Sequence, residues 1–321
     1  MKNSEYNTKS AVLFLIFNRP ETTEKVFQQI KLVKPGKLYI AADGPRSNIS
    51  GEDAICKETK ELILKNIDWD CEIKTLFRDK NIGCKYAVSG AIDWFFKNEE
   101  EGIILEDDCL PNVDFFRFCD MMLNYYKNDI RIRHIGGVNL QFGNLRGEYS
   151  HYFSNLSHVW GWATWRRAWE DYDVELSKYK NLNIEKQIGN IFYNKLAVKS
   201  WLEIYKLLFS NKINTWDYQW AFTNFFNNGL SVIPNKNLIS NIGFGEKSTH
   251  TTNPNDKYSK MEVVELGEIT YPIVILPDKE ADLFTLENNF NLKEQERNIK
   301  RKQTLFYRVT RFYKIFKIKN I

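Results

Sequence analysis

The 321-residue sequence predicts an α/β protein, a mostly parallel sheet with helices on both faces. Three observations carry this reading. Four short apolar β-type runs recur in the first half, at 11–17, 37–42, 72–77 and 102–105. Amphipathic stretches of helical length separate them, as parallel strands joined by crossover helices require. Each run closes on a charged or polar cluster, at the strand ends where an open parallel sheet places its site.

Taken in order, residues 11–17 form a strand stopped by Asn18-Arg19-Pro20, and Pro20 suits the first turn of a helix over 20–33. Residues 37–42 are the second strand, followed by a Gly-Pro turn and a helix over 52–66. The third strand, 72–77, leads to a helix over 84–97, and the fourth, 102–105, to a helix over 111–127. Residues 131–136 add a further strand. From about residue 149 the alternation stops and aromatic residues and Asn dominate. Helices are expected at 195–211 and 218–227, with a short strand at 230–234. Residues 279–298 are charged and lead, as helix or linker, into a basic tail. The working divisions are therefore 1–150, 151–278 and 279–321.

Hydrophobic residues make up 43% and aromatics 15%, enough to fill a core. The net charge of +4 is unevenly spread. The 24 residues from Asn298 onward hold eight of the 45 Lys and Arg and no acid, which leaves 37 bases against 41 acids in the body. A body near −4 lacks the basic excess that nucleic-acid binding needs, and no nucleic-acid partner is expected. Five cysteines at 56, 71, 84, 109 and 119 contain no C-x-x-C pair and read as reduced thiols. The apolar run at 11–17 is too short for a signal sequence, and no stretch reaches the roughly 20 apolar residues of a membrane span. A cytoplasmic body is expected.

The strand ends read Asn18-Arg19, Asp43-Gly44-Pro45-Arg46, Arg78-Asp79 and Glu106-Asp107-Asp108. This set suits a nucleoside diphosphate. Asp43 can accept from a uracil N–H, and Arg78 can fork onto phosphate or base oxygens. Asp108 can bind Mn2+ or Mg2+ bridging both phosphates, which neutralises charge on the leaving group. Each piece has a plainer reading. Asp43-Gly-Pro is a common turn, the acids can complement a helix dipole, and Arg78 can be a surface residue. Four such clusters at four successive strand ends favour the site. No G-x-G-x-x-G follows the first strand and no P-loop occurs anywhere.

The ordered blocks F-N-R-P (17–20), A-D-G-P (42–45), F-R-D-K-N-I-G (77–83), I-L-E-D-D-C-L-P (104–111), W-G-W (160–162), T-W-D-Y-Q-W (215–220) and I-S-N-I-G-F-G (239–245) make the chain resemble GT-A fold glycosyltransferases. Within that nucleotide-diphospho-sugar transferase superfamily it is most similar to the N-acetylglucosaminyltransferase I-like family and its bacterial relatives, over roughly residues 10–252. The resemblance implies a Rossmann-like GT-A domain whose 1–150 half binds a UDP-sugar and whose aromatic-rich 151–278 half takes the acceptor. It implies that Arg19 lies beside the uridine, Asp43 on the uracil and Arg78 near base or ribose. Glu106 and Asp107 would contact ribose and donor sugar, with Asp108 the direct metal ligand. Asp217 would be the general base, deprotonating an acceptor hydroxyl for inverting attack on the anomeric carbon. Glu170 and Asp171 are the reserve bases.

Alternatives stay open for these residues. Asp217 could instead cap the helix over 218–227. The tryptophans of 160–169 suit a core for the most part, with one or two lining a sugar site. In the loop 243–250, Lys247 could reach the diphosphate, and His250 could complete the metal shell or stand exposed. In the tail, 299–321, Leu305, Val309, Phe312 and Phe316 share a helical face with basic residues off it. That pattern fits peripheral attachment to an anionic membrane, at its inner face, or docking on the acidic body. A metal-dependent transferase acting on a saccharide or lipid-linked saccharide of bacterial surface polysaccharide synthesis is the leading reading. The rivals are a sugar-phosphate nucleotidyltransferase and a non-catalytic, membrane-peripheral scaffold.

Overall fold

Every position of β1 (Val12–Ile16) is buried, because its two faces serve two separate layers of helix. Val12, Phe14 and Ile16 point to one core and Leu13 and Leu15 to the other, as the two-residue period of a strand demands. The computed structural model describes residues 6–244 and 257–301. Within them the chain runs β1, α1 (Pro20–Val33), β2 (Lys37–Ala42), α2 (Glu52–Lys65), β3 (Glu72–Phe77), α3 (Cys84–Asn98) and β4 (Glu101–Glu106). It continues through β5 (Cys109–Pro111), α4 (Val113–Tyr126), β6 (Ile132–Gly136), β7 (His151–Ser154), β8 (Trp162–Trp165) and α5 (Arg166–Trp169). The remainder is α6 (Ile184–Ile191), α7 (Lys195–Phe209), α8 (Asp217–Phe226), β9 (Leu230–Pro234), β10 (Ile239–Asn241) and α9 (Lys279–Asn289).

Eight strands form one sheet in the order β3-β2-β1-β4-β8-β6-β9-β7. The pairs β3–β2, β2–β1, β1–β4 and β6–β9 are parallel, while β8 opposes both its neighbours and β7 opposes β9. The sheet is thus mostly parallel, as expected. Helices α1, α2 and α4 cover one face through Val26, Phe27, Ile30, Ile63, Phe115 and Phe118. On the other face α3, α5 and α8 contribute Ile92, Phe95, Trp169 and Trp220. A third cluster, built on Ile188, Trp201, Phe222 and Phe225, binds α6, α7 and α8 together.

Two expectations are corrected. Pro111 does not open a helix. It ends β5, which pairs with β10 as a separate two-stranded ribbon, and α4 starts at Val113 behind Asn112. The Asn112 carboxamide accepts from Phe115 N at 3.0 Å, so the Glu106–Asp108 acids are not its cap. Nor is the expected strand at 230–234 the first after residue 149, since β7 and β8 precede it and also join the main sheet. Their buried residues include His151, Ser154, Trp162 and Thr164 rather than an aliphatic run.

Helix α9 packs onto the body, where buried Asp282 accepts from Ser154 Oγ at 2.5 Å and Asn155 Nδ2 at 2.7 Å. Residues 292–301 are again helical. Among the described residues no helix is long and apolar enough to cross a membrane. Most of the basic tail, from residue 302, lies outside the described residues.

Candidate functional site

Strand β1 has β2 on one side and β4 on the other, so the chain order reverses between β1 and β4. In sheets of this kind the crevice at that reversal, beyond the strands' carboxyl ends, is the natural binding place. Two loops meet there. Arg19 follows β1, and Asp107 and Asp108 follow β4. One guanidinium nitrogen, Nη2, lies 2.6 Å from Asp107 Oδ1, and the other, Nη1, lies 2.8 Å from Asp108 Oδ2. Burial alone would weaken the arginine's hold on its proton, but Asp107 and Asp108 outweigh it and its pKa is raised. Asp107 is buried, and its Oδ2 has no hydrogen-bond partner among the described residues. Glu106 is pushed up by desolvation first and then by Asp108, Asp107 and Asp217, with Arg19 opposing. Three carboxylates thus face a single guanidinium.

The second and third strand ends are tied together by Asp43. Its carboxylate accepts from Gly44 N at 2.9 Å and from Ile82 N and Gly83 N at 3.1 Å, fixing the loop that leads into α3. Gly44 is required here, since a Cβ would meet the Lys80 backbone at 2.4 Å. Arg78 has no acidic partner among the described residues, and its guanidinium rests against Gly90 of α3. Glu52, unremarked in the sequence, is buried at the start of α2. It accepts from Asn18 Nδ2 at 2.8 Å and Arg46 N at 2.6 Å and so links the loops after β1 and β2. Its position at a helix start looks like ordinary dipole complementation, which hides the role.

The acidic triplet is roofed by the β5–β10 ribbon. Ile242 N donates to Asp108 O at 2.8 Å, and Gly243 lies directly against the Asp108 carboxylate. The next residue, Phe244, meets Trp160 edge-on at 5.9 Å between centroids, and Tyr258 meets the same indole at 6.1 Å. Behind this aromatic wall lies a cavity of about 250 Å³ bordered by His158, Trp160, Trp201, Asp217, Tyr218 and Tyr258, among others. Asp108 is not among its lining residues.

Asp217 is the first residue of α8, whose cap position is Trp216, and its Oδ1 accepts from the Thr215 hydroxyl. It is therefore in the favourable first turn and is not the cap. The Cys84 thiol connects it to the crevice. That thiol is pushed up to about 12 by burial first, then by Glu106, Asp217 and Asp43, with Arg19 opposing. Coulomb influence falls with distance, so these four residues lie near enough to act on one thiol.

The structure therefore brings Arg19, Glu106, Asp107 and Asp108 together, with Asp43 and Asp217 around the same region. It does not bring in the reserve bases. Glu170 is exposed, and Asp171 pairs with Arg133 at 2.9 Å. Trp162, Trp165 and Trp169 are core, while Trp160 lines the cavity. Lys247 and His250 lie outside the described residues. The chain fails to announce His158, Tyr218 and Tyr258, which the topology gathers from three distant segments.

The donor set fits a hard divalent cation in its chemistry. Oxygen ligands predominate, one buried carboxylate oxygen lacks a partner, and the formal charge of the three acids with Arg19 is −2. No group of three or more His, Cys, Asp or Glu among the described residues is already arranged as a metal cage. Substrate oxygens and water can fill the remaining positions.

Fold and crevice together define an open α/β protein with an acidic, arginine-bridged site at its topological switch point. No protein-family model and no curated protein sequence matches the chain. Among solved structures, GalNAc-T7 with UDP, GalNAc and Mn2+ aligns at a TM-score of 0.41 and 11% identity, over 71% of this chain and 43% of that one. S. aureus TarS 1–349 aligns at 0.37 and 9%, over 71% and 59%. HddC from Yersinia pseudotuberculosis aligns at 0.32 and 10%, over 54% and 87%. The chain thus matches about half the length of the first two. All three scores fall below 0.5.

Proposed function

We propose that the protein is a GT-A-type glycosyltransferase moving a sugar from a UDP-sugar to a saccharide or lipid-linked saccharide, with inversion and with the help of Mn2+ or Mg2+. One observation carries the reading. An acidic triplet bridged by Arg19 stands at the sheet's switch point, and a further carboxylate, Asp217, borders an aromatic cavity beside it. Carboxylates so placed suit a diphosphate on one side and a hydroxyl on the other.

A divalent ion, when bound, supplies the charge neutralisation that a departing UDP needs. Asp108 would hold it, with Glu106 and Asp107 toward the ribose and donor sugar. Asp43 keeps the loop around Ile82 and Gly83 in place for the base, and Arg78 offers an uncommitted guanidinium to base, ribose or phosphate. Asp217 takes the proton of the acceptor hydroxyl, and Thr215 fixes the orientation of its carboxylate. Lys247 and His250 are assigned to the diphosphate and the metal shell by the family resemblance alone. The basic pattern of 299–321 supports a place at the inner face of an anionic membrane, where surface polysaccharides are assembled.

Thermal shift with UDP-, GDP- and CMP-sugars, each with and without Mn2+, tests the proposal. UDP-sugars with metal should stabilise the wild type, and Asp108→Ala should remove the metal-dependent part. Indifference to every nucleotide sugar would overturn it. Release of pyrophosphate from UTP and a sugar phosphate would instead establish the nucleotidyltransferase. The loop Asn18-Arg19-Pro20 speaks against that rival, since it has no glycine and its arginine is committed to Asp107 and Asp108.

A further inference from the structure

The cavity beside Asp217 has a composition that selects its occupant. Its floor and sides include Val138, Leu140, Leu156 and Ala221, all buried and apolar. Trp160, Trp201, Tyr218 and Tyr258 supply aromatic surface. The described lining contains no lysine or arginine, and Asp217 is its one acid. The histidine there, His158, is held neutral by burial, which pushes it down to about 4. The nearest cation along the chain, Lys257, sits over the Tyr258 ring and is hydrogen-bonded to Asn288 O at 3.0 Å.

Two features show a built wall. Trp160 stands between Phe244 and Tyr258, each meeting it close to perpendicular, at 88° and 81°. The Tyr258 hydroxyl is anchored on Asn289 Oδ1 at 2.5 Å, which ties the wall to the end of α9. Trp201, over nine-tenths buried, backs the cavity as packed aromatic surface.

We infer that this cavity is an acceptor subsite for one neutral sugar ring, stacked on Trp160 by its apolar C–H face and excluding acidic sugars. The inference rests on the transferase reading for the word acceptor, but the binding claim stands on the lining alone. A volume of about 250 Å³ suits a single ring rather than a nucleotide, since sites for larger ligands reach roughly 300–1,000 Å³. An anionic ring would place its charge near Asp217 in an apolar surround with no described lining cation to offset it, and such like-charge juxtaposition is strongly unfavourable.

The test uses the full chain and saturation-transfer NMR with methyl glucoside, methyl galactoside and methyl N-acetylglucosaminide against methyl glucuronide and glucose 1-phosphate. UDP-sugar stabilisation with Mn2+ is measured in parallel. At least one neutral glycoside should bind, with the acidic ones weaker by about tenfold or more. Trp160→Ala should weaken neutral binding by about tenfold while leaving the UDP-sugar response in place. Should Trp160→Ala fold poorly, Asp217→Asn serves instead, because it should narrow the gap between acidic and neutral rings. Equal or tighter binding of the acidic glycosides to the wild type would overturn the inference, as would the absence of any glycoside binding. In those cases an intact UDP-sugar response leaves the transferase reading standing. Neutral binding without a UDP-sugar response would support the subsite and sink the transferase.

Discussion

Gly243 stands so close to Asp108 that a Cβ on it would fall 2.3 Å from the carboxylate Oδ2 and 2.8 Å from the Asp108 Cβ. Nothing but hydrogen fits between the ribbon and the acid. Gly243→Ala must therefore displace either the carboxylate or the segment after β10. Overpacking of this kind costs about 1–3 kcal/mol. The expected outcome is a lower melting midpoint together with a loss of Mn2+-dependent UDP-sugar binding. Gly36→Ala, with nothing within 4 Å of its added methyl, is the matched control and should leave binding unchanged.

Arg19 is the cation held between Asp107 and Asp108, and its removal leaves buried Asp107 without its counter-charge. Arg19→Ala should cost about 2–3 kcal/mol, at the lower end for a broken buried pair because the arginine side chain is 25% exposed. A divalent ion should then recover more stability in the variant than in the wild type. Melting with Mn2+ and with EDTA checks this. An equal metal response in both proteins would show that Arg19 and the ion do not share the same acids.

Asp217→Asn preserves shape and removes basicity. Transfer should fall by about 10²-fold or more, in the range of general-base loss, with donor affinity nearly unchanged. Calorimetric donor binding beside steady-state transfer separates the two. A collapse of donor binding would move Asp217 into the donor site.

His134 is wholly buried, and its Nε2 donates to the His158 carbonyl at 3.0 Å while Nδ1 accepts from Trp220 Nε1 at 3.1 Å. Both ring nitrogens are matched to the neutral form, and burial pushes the pKa down to about 3. In the unfolded chain it returns to roughly 6.5. Below that pH the unfolded state binds the extra proton, so stability falls as pH drops from about 6.5 toward 3. His134→Gln should remove about 2 kcal/mol of the loss between pH 7 and 5. Asp282 works in the opposite sense. Burial raises it to about 6, against hydrogen bonds from Ser154 and Asn155, and its contribution improves on acidification. The wild-type and variant denaturation curves are therefore best compared as a difference across pH.

Much of the sheet was legible because aliphatic runs leave few choices. The strands Lys37–Ala42, Glu72–Phe77 and Leu230–Pro234 and the helix Pro20–Val33 match their expected bounds. Strands β7, β8 and β10 were not legible. They are three or four residues long and carry His, Ser, Thr, Trp and Asn, so neither length nor composition marks them. The crevice residues were readable for a topological reason, since parallel strands collect their ends on one edge. Glu52 and the cavity lining were hidden for the converse reason. Leu140, His158, Tyr218 and Tyr258 converge only through the packing of loops and helices whose spacing in the chain is arbitrary.

The antiparallel strand Trp162–Trp165 lies between β4 and β6. A ribosome delivering this chain therefore releases four paired strands whose inner border stays open for some sixty residues. Until the wedge arrives, Glu101–Ile104 offers bare amides and carbonyls to any passing extended peptide. Fragments ending near residue 150 should accordingly aggregate where the whole chain does not, and nascent copies should lean on chaperones during that interval.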